Sequence, residues 1–270
     1  MSTQRIFGFT DIHMAMVDRP ALDLALRAQA YFEPTHTVQG GDLIDASPFS
    51  RFPRRTLDED SEYDYLETEV YPARKFLDRA QQQTKGGRFT WIMGNHDDWM
   101  ERWLAGSTGY TGRSLKSLRP SVLLRADTSN NARSNFTIIP YTSPFPGDSS
   151  AGRLMLGRKL MVVHGWSASK YCADKHLQMA KPYSVIYHHS HRAEQRTTSM
   201  ADGRLVTALN AGCLCLKQPV YALSGMPTEW TTGFWVCYMG RNSFSLYSIP
   251  ILGRGSKRLC IMPDGKEIKS

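Results

Sequence analysis

The sequence predicts an α/β fold in which two mixed sheets stack on each other and carry helices on their outer faces. In the first half of the chain, short apolar runs rich in β-branched and aromatic residues alternate with stretches of helical periodicity. The second half is dominated by strand-like runs. No repeat, low-complexity tract or long linker divides the chain. We therefore expect one domain over residues 1–270.

The first half alternates strands with helices. A helix is predicted over 20–32, with proline in its first turn, where proline is tolerated. A loop rich in Pro, Ser, Phe and Arg follows over 46–58. Apolar residues then recur every three or four positions over 66–80, which predicts an amphipathic helix, and Pro72 predicts a kink or break in it. Loop and helix form a predicted insertion around 46–85. Strands in this half are predicted over 5–10, 36–39 and 88–93.

The rest of the chain is richer in strands. A short helix is predicted over 97–104, a glycine-rich loop over 106–112 and a further helix over 168–180. Strands are predicted over 136–141, 159–164, 184–187, 205–210, 234–239 and 244–251.

Composition limits the class of protein. The chain has 270 residues, 41% hydrophobic and 21% charged, as in soluble globular proteins. No run approaches about 18 consecutive apolar residues, so no membrane segment is expected. The N-terminus lacks the apolar stretch of a signal peptide, which predicts a cytoplasmic protein. The five cysteines are scattered and lie mostly in apolar stretches, which favours buried structural thiols over a zinc site or disulfides.

The charge favours anionic partners. The net charge is +8 and the sequence pI is about 9.3, which suits a nucleic acid or a nucleotide without proving one. Basic residues concentrate over 51–55, 153–159 and 254–258. Such runs are most often solvated surface, but the first lies a few residues beyond Asp45, close to the expected site, which raises the expectation that it contacts substrate.

Candidate metal ligands gather in short clusters, each directly after an apolar run where a strand should end. The clusters are Asp11-x-His13, Gly41-Asp42-x-x-Asp45, Gly94-Asn95-His96-Asp97, His164-Gly165 and His189-x-His191. Two donors separated by one residue at a strand end lie on the same face, so one cation can take both. Asp42, on a glycine-flanked turn, is placed to bridge two ions. Oxygen and imidazole donors without thiolates suit Mn, Fe or Zn.

These residue types suit phosphate ester hydrolysis. Two ions about 3.5–4 Å apart clamp a phosphoryl group, lower the pKa of a bridging water and stabilise in-line displacement. Asn95 offers an amide oxygen to a metal or contacts the phosphate. His96 is the candidate proton donor to the leaving group, with Asp45 orienting its ring and favouring its cationic form. Asp97 and Asp98 are expected to cap the following helix.

As an ordered set, the clusters resemble the calcineurin-like metallophosphoesterases over residues from about 6 to 192. The run Asn210-Ala211-Gly212-Cys213 is similar to the turn after that family's last histidine motif. The long helical insertion is most similar to phage- and plasmid-borne members, and a phage-encoded protein would act in the host cytoplasm.

The resemblance implies a four-layer αββα sandwich with two divalent ions at one edge, Mn²⁺ first and Fe, Zn or Ni as alternatives. It implies that the first metal is held by Asp11, His13, Asp42 and His191. It implies that the second is held by Asp42, Asn95, His164 and His189, with Asp42 shared. His96, paired with Asp45, would be the catalytic acid.

Two positions depart from the family pattern. Protein phosphatases of the family carry arginine directly after the second aspartate of Gly-Asp-x-x-Asp, where this chain has Ala46. Phosphate binding would then pass to a nearby arginine, Arg51, Arg54 or Arg55. The glycine that usually precedes the final His-x-His is His188 here, and its ring either contacts substrate or points away; we expect the latter. Trp166 is the aromatic residue that we most expect to face the substrate.

Three functions fit these observations. The first is a phosphodiesterase acting on a nucleotide or nucleic acid through a metal-bound hydroxide. The second is a phosphomonoesterase, acting on nucleotides or phosphoproteins with the same centre. The third is a nucleic-acid-binding module that keeps the fold without turnover. The complete ligand set and the presence of His96 favour an enzyme, and the absence of an arginine at position 46 favours the diesterase.

Overall fold

The computed structural model describes residues 3–46, 49, 64–106, 109, 114–141, 152–217 and 228–270. Within these ranges the strands, numbered in chain order, are β1 Gln4–Phe9, β2 His36–Gln39, β3 Phe89–Ile92, β4 Phe136–Ile139, β5 Arg153–Leu156, β6 Leu160–Val163, β7 Ser184–Ile186, β8 Ala193–Ser199, β9 Leu205–Ala211, β10 Gly233–Met239, β11 Phe244–Pro250, β12 Leu252–Arg254, β13 Lys257–Ile261 and β14 Glu267–Lys269. The α-helices are α1 Arg19–Phe32, α2 Tyr71–Gln82, α3 Asn95–Gly106, α4 Pro120–Leu123 and α5 Cys172–Ala180.

The two larger sheets are both mixed. The first has the strand order β11-β10-β1-β2-β3-β4, in which β1 to β4 run parallel and β10 and β11 pair antiparallel. The second has the order β5-β6-β7-β9-β8, in which β6, β7 and β9 run parallel. The carboxyl ends of β1, β2 and β3 therefore lie along one edge of the first sheet. Those of β6 and β7 likewise share an edge of the second sheet.

The two sheets face each other across an apolar layer. The first sheet contributes Ile6, Val38 and Trp235, and the second contributes Val162 and Ile186, all completely buried. Side chains two residues apart in a strand point to the same face of its sheet, so one set from each sheet lines this layer. This layer places both sheets in one sandwich.

Helices cover the outer faces. The apolar faces of α1, α2 and α3 pack on the first sheet, where Phe7 and Phe9 of β1 point away from the inter-sheet layer. Helix α5 packs on the outer face of the second sheet through Cys172 and Leu177. The order helix, sheet, sheet, helix confirms the predicted αββα sandwich.

The predicted break at Pro72 is present. Residues Leu66–Val70 form a π-helical turn that changes to the α-helical α2 at Tyr71, and Pro72 lies at the start of the new helix. Proline has no N–H to give to the carbonyl four residues earlier, so the α-helical pattern cannot run unbroken through this point. The π-helical turn carries Glu69, which contacts the loop that contains Asp45.

Several predicted boundaries are wrong. Helix α3 begins at Asn95 rather than at position 97. The Asp97 carboxylate accepts the Gly94 N–H at 2.7 Å and so caps this helix from inside, as half of a capping box. Helix α5 begins at Cys172 rather than at 168, because Ser167 and Ser169 bond locally instead.

Some strands were not predicted. They are β5, β8 and the small antiparallel sheet β12-β13-β14, which packs against α1. Strand β8 is polar and largely exposed, so it lacks the alternation that reveals a strand. Most of the loops predicted over 46–58 and 106–112 lie outside the described residues.

The described helices include none long and apolar enough to cross a membrane.

His36 gives the fold a pH dependence that can be measured. Its ring is buried in β2, Nε2 lies 2.9 Å from Thr90 Oγ1, and Nδ1 has no partner among the described residues. Burial, with a smaller contribution from Arg88, lowers the pKa of His36 to about 3. The unfolded chain takes up this proton near pH 6.5. The contribution of neutral His36 to the free energy of unfolding is therefore fully present above pH 6.5. It is lost as the pH falls from 6.5 towards 3.

We expect the His36→Gln variant, which keeps a polar contact to Thr90, to lose less stability in acid. Between pH 6.5 and 4 the wild-type free energy of unfolding should fall by roughly 2–3 kcal/mol more than that of the variant. Urea unfolding of the chelated proteins at several pH values measures this difference. Parallel curves for the two proteins would contradict the assignment.

Candidate metal centre

Loops that follow five strands meet at one edge of the sandwich. Asp11 follows β1, Asp42 follows β2, Asn95 follows β3, His164 follows β6 and His189 follows β7. The first two loops are tied together, since the backbone N–H groups of positions 12 and 13 both donate to the Asp42 carbonyl, at 3.1 and 2.9 Å. Ligand-binding loops at the carboxyl ends of parallel strands are a general feature of α/β folds.

The first group of donors contains Asp11, His13, Asp42 and His191. One donor atom from each lies within 4.8 Å of the others, and all four residues are buried. His13 Nε2 and His191 Nε2 are 3.2 Å apart, and Asp11 Oδ1 is 3.6 Å from His191 Nε2. Two imidazole nitrogens facing each other beside carboxylates form a donor set that fits a divalent cation.

The second group contains Asp42, His164 and His189, again within 4.8 Å of one another. Asn95 joins it, since its Oδ1 lies 3.0 Å from His164 Nε2. The structure therefore brings together the seven predicted ligands in the two predicted sets.

Asp42 belongs to both groups through a single oxygen. Its Oδ2 lies 3.6 Å from His13 Nε2 and 3.3 Å from His164 Nε2. The other oxygen, Oδ1, accepts the His96 N–H at 2.9 Å, which fixes the carboxylate. One carboxylate oxygen thus lies between the two donor groups.

Hydrogen bonds at Nδ1 orient two of the imidazoles. His13 Nδ1 lies 2.8 Å from Asp45 Oδ1, and His164 Nδ1 lies 3.1 Å from the Gly40 carbonyl. In each ring Nε2 is then left facing the donor cluster. Outer partners of this kind are usual for metal-binding histidines and set which nitrogen coordinates.

The cluster attracts positive charge. Burial opposes ionisation of Asp42, but His164 and His96 outweigh it and hold the pKa of this carboxyl well below its ordinary value. Burial also opposes the charged form of His13, yet Asp45 and Asp42 raise its pKa to about 10. Asp42 thus stays ionised, and a divalent cation suits the site electrostatically.

Backbone strain gathers in the same loops. His13, Asp42, His189 and His191 have positive φ angles of 49°, 48°, 70° and 57°. Such conformations are costly for residues other than glycine, and they concentrate at functional sites. Gly94 is required by close approach, since a Cβ there would lie 2.1 Å from Asp42 Oδ1.

Asp45 lies beside two histidines, the predicted His96 and also His13. Its Oδ1 hydrogen-bonds to His13, whereas His96 Nδ1 is 3.7 Å away, beyond hydrogen-bonding distance. Burial lowers the pKa of His96 despite the nearby carboxylates. The His96 side chain is 19% exposed, compared with 1% for His13 and His164, so it lies at the open side of the cluster. Asn95 and His189 are also partly exposed there.

His188 belongs to the core. It is completely buried, its Nδ1 lies 2.9 Å from the Val163 carbonyl, and its Nε2 accepts the Trp235 indole N–H at 3.2 Å. A Cβ on Gly40 would lie 2.1 Å from its ring. The expectation that His188 points away from substrate agrees with these contacts, which link the two sheets.

The structure describes only some of the predicted substrate-binding residues. Trp166 is 41% exposed and stacks on His176, with ring centroids 5.4 Å apart. Asn95 is at the centre, as described above. Arg51, Arg54 and Arg55 lie outside the described residues, so their predicted contact with phosphate stays a prediction.

Sequence reasoning missed four residues at this site. The Trp99 ring lies 3.9 Å from that of His96, and the Trp230 ring lies 4.1 Å from that of His191. Cys215 Sγ is 3.9 Å from His191 Nδ1, although all five cysteines are buried and free as predicted. Glu69 contacts the loop that carries Asp45. Only Trp99 had a usable signal, since it lies three residues after His96 on one helix.

Comparisons with known proteins give structural likenesses only. No protein-family model and no curated protein matches the chain. It is similar to Vacuolar Protein Sorting 29 from Cryptosporidium parvum (12% identity, TM-score 0.44, all of both chains) and to Vps29 of Chaetomium thermophilum (12%, TM-score 0.46, 100% of this chain and 95% of that one). It is also similar to YfcE, a phosphoesterase from E. coli (15%, TM-score 0.37, 90% and 98%). TM-scores below 0.5 do not establish a common fold or activity, so function is inferred from the geometry of this chain.

Proposed function

We propose that this chain is a metal-dependent phosphoric ester hydrolase of the calcineurin-like metallophosphoesterase type, and that it acts on phosphodiesters. One observation carries the proposal: Asp42 Oδ2 lies within 3.6 Å of His13 Nε2 and 3.3 Å of His164 Nε2, in two separate donor groups. A carboxylate oxygen shared between two buried imidazole sets is suited to bridging two cations.

The donor groups define the two proposed metal sites. The first ion would be held by Asp11, His13, Asp42 and His191, and the second by Asp42, Asn95, His164 and His189. Mn²⁺ is the first candidate for this oxygen and imidazole set, with Fe, Zn or Ni as alternatives. Bound divalent ions supply Lewis acidity, which neutralises charge on the phosphoryl group and acidifies water.

The remaining chemistry belongs to the side chains at the open side. In its cationic form the partly exposed His96 ring would give a proton to the leaving alkoxide oxygen as the bond from that oxygen to phosphorus breaks, which is the role of a general acid. Asn95 turns its Oδ1 towards His164, and its amide N–H groups, which make no hydrogen bond within the described residues, can donate to a phosphate oxygen. Asp45 holds His13 in one tautomer and lies near His96.

Three features support a diester, and specifically a nucleotide or nucleic acid. Position 46 is a buried alanine, so no arginine directly after Asp45 can bind a terminal phosphate. The chain carries a net charge of +8. The rings of Trp99 and Trp230 adjoin His96 and His191, and tryptophan rings can stack on bases. Arg51, Arg54 and Trp166 remain proposed substrate contacts.

A pair of chromogenic esters tests the reaction class. With Mn²⁺ added, we expect a higher kcat/KM for bis(nitrophenyl) phosphate than for nitrophenyl phosphate, because only a diesterase cleaves the bis ester efficiently. Protein treated with a chelator to remove metal ions is the negative control. Assays with DNA, RNA, cyclic nucleotides and mononucleotides then identify the class of substrate. Hydrolysis of the monoester alone would indicate a phosphomonoesterase. No hydrolysis, together with salt-dependent DNA binding, would indicate a binding module.

A further inference from the structure

Glu69 is a buried carboxylate that the insertion brings to the candidate metal centre. It lies in the π-helical turn before α2 and is completely buried. One oxygen, Oε2, accepts two backbone N–H groups, from Asp45 at 2.6 Å and from Ala46 at 2.8 Å. Both distances are short for N–H···O hydrogen bonds.

Burying the Glu69 carboxyl group at this position costs folding free energy. The second oxygen, Oε1, is buried without a partner among the described residues. Burial, together with the charge of Asp45, raises the pKa of Glu69 to about 8. A buried polar group with an unsatisfied atom destabilises a fold, so its presence calls for an explanation such as a functional role. Single π-helical turns also occur often at functional sites.

The two N–H groups that Glu69 binds belong to a strained turn. Ala46 is completely buried and has a positive φ of 43°, which is unfavourable for alanine. The same turn carries the Asp45 carboxylate, 2.8 Å from His13 Nδ1 and 3.7 Å from His96 Nδ1. A shift of this backbone would move the carboxylate relative to both rings.

We propose that Glu69 is a positioning residue: by accepting the N–H groups of Asp45 and Ala46, it sets the Asp45 carboxylate between the imidazoles of His13 and His96. The helix of the insertion thus takes part in the site. The inference deepens the proposed function and rests on it for the effect on turnover. The effect on Asp45 itself does not depend on activity.

The test compares Glu69→Ala, which removes the acceptor, with Glu69→Gln, whose amide oxygen can accept the same two N–H groups. Glu67→Ala is the matched control, because Glu67 is exposed in the same helical turn. The first readout is the imidazole Nδ1–H resonance of His13 in NMR spectra of the chelated protein. We expect this hydrogen-bonded signal in the wild type, Glu69→Gln and Glu67→Ala, and its loss or shift in Glu69→Ala.

The second readout is turnover with saturating Mn²⁺. We expect Glu69→Ala to lower kcat by about 10- to 100-fold with little change in KM, as for other outer partners of metal sites, and Glu69→Gln to stay within a few-fold of wild type. An unchanged His13 signal in Glu69→Ala, or equal losses in both Glu69 variants, would overturn the proposal. If Glu69→Ala does not fold, Glu69→Asp replaces it, because its shorter side chain withdraws the acceptor. A wild type without activity would refute the proposed function, while the NMR comparison would still decide the role of Glu69.

Discussion

Replacing Asp42 with asparagine is expected to lower kcat by about 10³-fold or more on any phosphate ester, because the shared carboxylate serves both proposed ions and the parts of such a centre act together. The fold should survive. The amide oxygen of asparagine can still accept the His96 N–H that Asp42 Oδ1 accepts at 2.9 Å, and the Asp42 carbonyl contacts are made by backbone. Steady-state kinetics with added Mn²⁺, together with thermal unfolding, measures both effects.

Asp18→Asn is the matched control for Asp42→Asn. Asp18 is also buried, but it caps α1 through the Ala21 N–H and pairs with Arg258, away from the donor groups. We expect this control to lose stability and keep its turnover. An Asp42→Asn variant with wild-type turnover would exclude Asp42 as the shared ligand.

The second large effect is expected from His96→Ala, and it should depend on the leaving group. A general acid contributes roughly 10²- to 10⁴-fold where the leaving oxygen needs a proton. Alkyl and nucleoside leaving groups need one, whereas nitrophenolate departs without it. We therefore expect a loss of that size on alkyl or nucleotide esters and a much smaller loss on nitrophenyl esters.

The matched variant for His96→Ala is Trp99→Ala, which removes the ring packed at 3.9 Å from His96 but keeps the imidazole. It should lower the rates on alkyl and nitrophenyl esters by similar factors, because neither carries a base for Trp99 to stack on. Equal losses on both kinds of ester in His96→Ala would mean that His96 does not donate the proton.

Much of the fold could be predicted from the sequence where strands are apolar. The strands β1, β3, β6 and β7 have buried side chains on both faces, and their apolar residues predict the strands within one or two residues of the observed bounds. Strand β8 could not be predicted, because its side chains are largely solvated and its sequence lacks apolar alternation. The same holds for the small sheet packed on α1, whose strands are only three to five residues long.

Within the site, the positions of residues after strands predicted which donor residues come together. They did not predict the residues that orient those donors. Asp11, Asp42, Asn95, His164 and His189 each follow a strand directly, so strand ends that meet at one edge bring them together. The hydrogen bond between Asp45 and His13 depends on the turn of a strained loop, whereas the motif match paired Asp45 with His96 alone.

Glu69 illustrates a second limit. Its neighbour Glu67 has the same side chain and lies in the same helical turn, yet it is exposed. Which of the two reaches the Asp45 turn depends on the rotation of the helix, which the π-helical turn before Pro72 changes. No periodicity in the sequence reveals this choice.

The central claim is that two cations share Asp42. The most direct measurement is the stoichiometry and electron paramagnetic resonance spectrum of the protein after chelation, dialysis and reloading with Mn²⁺. We expect two ions per chain and a spectrum with exchange coupling between them, since a shared carboxylate oxygen places the ions close together. One ion per chain, or two ions without coupling, would contradict the two-metal centre.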